Sequence, residues 1–181
     1  KRDPVDVFAF HIDVPAGGGN GMLFTQGGRF GGHGFYPLKG KPVYVWNLLD
    51  LERVRWEGAD ALTPGHHLLE FDFTYDGLGF GTFAFNNLSG VGQGAEGVLK
   101  VDGKQVARQK MPHTIPITLA WDESQDIGSD TLTGVDDADY QSPFVFDGTI
   151  HKITLDIDRP QLSKEDIQKL EAAQSAQGDK G

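Results

Sequence analysis

Carboxylates dominate the residues able to do chemistry. From Asp122 to Asp139 the chain carries seven acids, Asp122, Glu123, Asp126, Asp130, Asp136, Asp137 and Asp139, with no Lys or Arg among them. Crowded carboxylates repel, and a hard cation relieves the repulsion, since calcium takes about 6 to 8 oxygen ligands at roughly 2.3–2.6 Å. Asp126, Asp130, Asp136 and Asp137 are therefore the candidate ligands of a calcium ion. Their spacing is not that of a helix–loop–helix calcium loop, and a solvated acidic loop accounts for the same letters. A second pair, Glu70 and Asp72, shares one face of an alternating segment. Carboxylates at i and i+2 of a strand can stand the roughly 5–5.5 Å apart that retaining glycoside hydrolysis requires. A solvated face on a strand buried on its other side explains them equally well.

Other chemistries find less support. There is no cysteine, hence no disulfide, thiolate nucleophile or cysteine-held metal. The six histidines, His11, His33, His66, His67, His113 and His151, are scattered, and none pairs at the i, i+4 spacing of a helical metal site. On this reading they are surface or hydrogen-bonded histidines, with His66 and His67 on opposite faces of a strand. None of the six serines sits in a Gly-x-Ser-x-Gly elbow. Gly92 to Gly97 spells the dinucleotide fingerprint, but strand residues follow it where a phosphate-binding helix is needed. Tyr44, Trp46, Trp56 and Trp121 could form a platform for a sugar ring, with core packing as the default for aromatics of this size.

Lys and Arg total 16 against 26 Asp and Glu, a net charge of −10 that repels nucleic acid and anionic lipid. No apolar run approaches the roughly 20 residues of a membrane helix. The chain starts at Lys1 rather than Met, which leads us to expect a processed product with further sequence upstream.

The elements that must position these residues are strands. Phe8, Phe10, Ile12 and Val14 alternate with polar neighbours, as do Leu69, Phe71, Phe73 and Tyr75. Met22 to Thr25 reads as a short strand within a glycine-rich stretch. Pro42 to Leu49 is apolar on both faces and should be central and covered on two sides. Asp102-Gly103 and Asp147-Gly148 each predict a hairpin with a two-residue primed turn. About ten short strands with closely spaced turns and no intervening helices predict an all-β fold, an antiparallel two-sheet β-sandwich of jelly-roll or lectin-like type. Residues 1–161 form the sandwich domain on this reading, and 162–181 a short C-terminal helix, capped by Ser163 and stapled by Leu162 on Ile167, with a frayed polar tail.

Several separated motifs carry a resemblance. Asn20-Gly21-Met22-Leu23, Gly27-Gly28-Arg29-Phe30-Gly31-Gly32, Lys41-Pro42-Val43-Tyr44-Val45-Trp46-Asn47 and Pro64-Gly65-His66-His67 are followed, in order, by three more. These are Gly97 to Lys104, Asp126-Ile127-Gly128-Ser129-Asp130 and Asp139-Tyr140-Gln141-Ser142-Pro143-Phe144. Over most of residues 5 to 158 this string resembles the C-terminal region of bacterial formylglycine-dependent arylsulfatases. The resemblance implies a parent sulfuric ester hydrolase, periplasmic or secreted, that uses calcium and a formylglycine made within Cys/Ser-x-Pro-x-Arg. That motif is absent here, so no catalytic residue carries over. The chain is then expected to be inactive alone. It would pack on an upstream catalytic domain of the same polypeptide, where a sulfated substrate could occupy a shared cleft. The alternatives are a calcium-dependent glycan-binding module and a glycan-cleaving enzyme using Glu70 and Asp72.

Overall fold

Where apolar and polar residues alternate, the chain extends, because a pleated strand sends successive side chains to opposite faces. The computed structural model describes residues 5–76, 94–114, 123, 125–157, 163–165, 167–168 and 172. Among the described residues there are ten strands: β1 (Asp6–Val14), β2 (Phe24–Gly28), β3 (Gly31–Leu38), β4 (Lys41–Leu48), β5 (Glu52–Glu57), β6 (Gly65–Tyr75), β7 (Ala95–Val101), β8 (Lys104–Met111), β9 (Gln125–Ile127) and β10 (Thr149–Asp156). They build two five-stranded sheets, ordered β10-β1-β6-β7-β8 and β5-β4-β3-β2-β9. All the strand pairings are antiparallel.

Between the sheets lies the main core. Phe10, Ile12, Leu69, Phe71, Leu99 and Met111 from the first sheet meet Phe24, Phe35, Tyr44, Trp46 and Trp56 from the second. The Tyr44 and Phe71 rings stack with centroids 3.6 Å apart, and Trp56 closes edge-on against Phe71 at 5.0 Å. Glycine is required at position 97 of β7. A Cβ there would lie 2.6 Å from both the Phe71 and Trp56 rings, so Gly97→Ala should lower stability by about 1–3 kcal/mol in urea unfolding.

β4 is covered on both sides, as its composition predicts. Its second cover is a strap, residues 128–147, which lays Val135, Tyr140 and Phe144 over Tyr36, Val43 and Val45 to make a second apolar cluster. The strap is tied down by Met22 N–H to Phe144 O (3.1 Å) and by Gly128 N–H to Leu23 O (3.1 Å), and is closed on itself by Phe146 N–H to Gly128 O (3.0 Å).

Two local expectations are corrected. Of the strand expected at Met22 to Thr25, Phe24 and Thr25 open β2 while Met22 forms only an isolated parallel bridge with Val145, and the glycine-rich residues that follow fold as the β2–β3 hairpin rather than a loop. Asp147-Gly148 does not turn a hairpin. Asn20 N–H donates to Asp147 Oδ1 (2.8 Å), and Asp147 N–H donates to Asn20 O (3.0 Å), which fixes this corner to a distant loop and lets β10 pair with β1. By contrast Asp102 (φ 51°) and Gly103 (φ 75°) make the expected primed turn between β7 and β8. In the C-terminal segment residues 164, 165, 167, 168 and 172 are helical and Ile167 is 42% exposed, while Leu162, and with it the expected staple, lies outside the described residues.

Candidate functional site

The acidic stretch holds down the strap. Asp137 accepts from Arg29 (Nη2 at 2.6 Å, Nε at 3.0 Å). Asp139 accepts from the Tyr36 hydroxyl at 2.5 Å and pairs with Arg55. Asp136 lies 3.6 Å from Arg53 and 3.8 Å from Arg55. Asp126 accepts from the Thr131 hydroxyl (2.8 Å) and amide (3.1 Å). Asp130 is fully buried, accepting from the Tyr140 hydroxyl and from Ser142 Oγ at 3.3 Å. Burial pushes its carboxyl above the usual carboxylate range. The four candidate calcium ligands Asp126, Asp130, Asp136 and Asp137 therefore hold separate partners. Among the described residues no three of them bring ligand atoms within 4.8 Å of one another.

Glu70 and Asp72 do share the outer face of β6, where Asp72 pairs with Lys100 of β7. Of the aromatic platform, Tyr44, Trp46 and Trp56 are buried between the sheets, and Trp121 lies outside the described residues. Within the fingerprint, Gly94 leads straight into β7, while Gly92 and Gln93 lie outside the described residues.

The histidines divide by environment. His33 is half-buried, its Nδ1 2.9 Å from the Tyr44 hydroxyl, and desolvation holds it down at about 4, so it is neutral at neutral pH. His67 faces Asp102 at 2.8 Å, and His113 faces Glu52 at 2.8 Å. His11, His66 and His151 converge with Asp13 on the outer face of the first sheet. A search for helical i, i+4 spacing could not find them, because strand register brings them together.

Two surface features remain. A cleft of about 450 Å³ opens at the β3–β4 turn, lined by Gly17, Gly19, Asn20, Lys39, Tyr140 and Asp147 among others. That volume suits a small molecule. Much of its polar surface is already committed, because Asn20 Oδ1 accepts from Lys39 N–H at 2.9 Å and its amide is bound to Asp147.

At the opposite end of the second sheet three neighbouring loops carry exposed apolar side chains, Phe30, Leu49, Leu51 (85% exposed) and Leu132. Asn47 ties two of these loops together, its Nδ2 donating to Gly28 O (3.0 Å) and Arg29 O (2.9 Å). Arg29 N–H donates to Thr133 Oγ1 (3.2 Å) and joins the third. Leu49 and Asp50 hold φ near 52° and 58°, a left-handed backbone that is costly for leucine. β1 begins at this end, with Phe8 5.8 Å from His33 just past the β2–β3 turn. It finishes at the other, where a Cβ on Gly19 would touch both Val14 and Pro37 at 3.5 Å.

No family model matches the chain, and no curated protein does. Among solved structures, the LG1-3 region of the laminin alpha2 chain is similar at TM-score 0.52 and 15% identity, over 91% of this chain and 30% of that one. The CBM40 of Ruminococcus gnavus IT-sialidase is similar at TM-score 0.52 and 12% identity, over 94% and 83%. This chain thus spans under a third of the length of the laminin structure. At such identities the likeness establishes the fold, a jelly-roll-like sandwich of two antiparallel sheets.

Proposed function

We propose that this sandwich is an accessory domain joined C-terminally to the catalytic domain of a formylglycine-dependent sulfuric ester hydrolase, whose substrate cleft it flanks. The ordered motif string across residues 5 to 158 is the observation that carries the reading. Geometry adds a docking surface of fitting kind. Phe30, Leu49, Leu51 and Leu132 form an apolar end, and apolar surface of this sort marks protein contacts. Because β1 starts at that same end, a domain joined ahead of it is delivered to those side chains. Strain at Leu49 also suits a tip whose shape is set by what it meets. No catalytic group is assigned to this chain, so it cleaves no aryl sulfate by itself.

Two measurements test the proposal. The coding sequence ahead of Lys1 should contain Cys/Ser-x-Pro-x-Arg within a few hundred codons; a native start just before Lys1 with no sulfatase domain attached would overturn the reading. In the full protein, Leu49→Asp with Leu51→Asp should loosen the domain contact, so that limited proteolysis releases the sandwich while it keeps its own melting transition. Unchanged cleavage would remove this end from the interface.

A further inference from the structure

Asp13 and His66 are direct partners in the β1–β6 register, so both side chains leave the same outer face of the first sheet. His151 arrives there for a different reason. In the β1–β10 pairing His11 meets Lys152 and Ile12 meets Ile150, which leaves His151 as the extra residue of a bulge. A bulge re-aims one side chain without disturbing the alternation on either side. Ile150 and Ile153 accordingly still pack against the core, while His151 Nε2 reaches Asp13 Oδ2 at 2.7 Å. His66 Nδ1 lies 3.0 Å from Asp13 Oδ1. All three ligand atoms fall within 4.8 Å of one another.

We infer that Asp13, His66 and His151 form a binding site for a divalent transition-metal ion of the zinc class. Two imidazole nitrogens and one carboxylate oxygen are a donor set that such ions take and that calcium, which prefers oxygen alone, does not. Tetrahedral bonds of about 2.0–2.2 Å place ligand atoms roughly 3.3 Å apart, inside the 4.8 Å within which these three atoms already lie. The three side chains are 46–56% exposed, so they have room to adjust around an ion. Bound metal takes the place of the hydrogen bonds between Asp13 and the two rings, and each neutral ring then carries its one N–H on the nitrogen that faces away from the ion. The fourth position faces water, which makes the ion exchangeable.

His11 completes the arrangement as a positioning residue. Its Nδ1 is 3.4 Å from His66 Nε2, with the two rings nearly parallel at 26° and 5.6 Å apart. Once His66 offers Nδ1 to the ion, its Nε2–H is directed at His11, the kind of outer contact that fixes a ligand ring. The site lies on a different sheet from the strap and from the apolar end, so it stands or falls independently of the domain's attachment.

The test is a calorimetric titration of Zn²⁺, and separately of Ca²⁺, into chelator-stripped chain lacking any histidine tag, with Co²⁺ absorbance reporting geometry. One Zn²⁺ per chain and visible Co²⁺ bands of four-coordinate intensity are expected, with Ca²⁺ silent. His151→Ala and Asp13→Asn should each weaken zinc at least tenfold, and His11→Ala about tenfold by the outer-contact rule. These exposed substitutions should leave the circular dichroism spectrum unchanged, which separates lost binding from lost fold. Absence of binding up to about 1 mM Zn²⁺, or full binding in the His66→Ala/His151→Ala double variant, would overturn the inference.

Discussion

Replacing Trp56 with alanine should cost about 3–5 kcal/mol in urea unfolding, the range for deleting a large buried aromatic side chain. Trp56 is 1% exposed and sits on β5 at one edge of the second sheet. Its indole N–H crosses the core to Gly97 O of the first sheet at 2.9 Å, while its ring packs on Phe71 and Tyr44. The side chain thus joins the two sheets by packing and by a buried hydrogen bond. Trp56→Phe keeps most of the packing and loses the N–H, so a smaller cost of about 1–2 kcal/mol should remain. The pair is also coupled. With the indole gone, the space that excludes a methyl at position 97 opens on one side, so the double variant Trp56→Ala/Gly97→Ala should cost less than the two single changes added. Strict additivity would show that Gly97 is excluded by Phe71 alone.

Tyr140→Phe should cost about 3 kcal/mol near neutral pH, since hydrogen bonds to charged groups contribute roughly 1.5–3 kcal/mol and a stranded donor adds to that. The phenol donates to the fully buried Asp130 and accepts from Val135 N–H at 3.1 Å. Removing it strands the Val135 N–H and leaves Asp130 without its buried phenol donor, with Ser142 Oγ remaining. The loss should also depend on pH with a definite sign. Asp130's folded carboxyl titrates above its ordinary value because of burial, and Tyr140 holds it back. A group raised in this way contributes stability that is complete below the unfolded value and lost as pH rises through the folded one. Without Tyr140 the folded value rises further. Unfolding at about pH 4 should therefore show a smaller difference from the parent chain than unfolding at about pH 7. An equal cost at both would mean that Asp130 is not ionised in the fold.

The two-sheet architecture was legible where side chains alternate and turns are chemically marked. Phe8 to Val14 and Leu69 to Tyr75 declare one buried face each, and Asp102-Gly103 marks the turn between two neighbouring strands. β3 was hidden because Gly31, Gly32 and Gly34 give no apolar signal. At position 34 a Cβ would lie 2.8 Å from the Val135 side chain, a reason for glycine that only the strap reveals. Asp147-Gly148 misled because the same dipeptide can be held by a distant loop as well as by its own strands. In the acidic stretch the letters were visible and the partners were not, since Arg55 lies 84 positions from Asp139 and Arg29 lies 108 from Asp137. His151 was the hardest to place. Strict alternation says which face a strand residue takes, and a bulge is the one departure that alternation cannot announce.

That departure bears on solubility too. β10 is the last strand of its sheet, and a regular edge of this length is a template on which a second chain can add and propagate. The extra residue breaks the flat repeat of amide and carbonyl groups, and Lys152 beside it places a charge where an incoming strand would lie. The irregularity that gathers the imidazoles thereby also discourages amyloid-like stacking, and realigning β10 into an uninterrupted ladder would invite it.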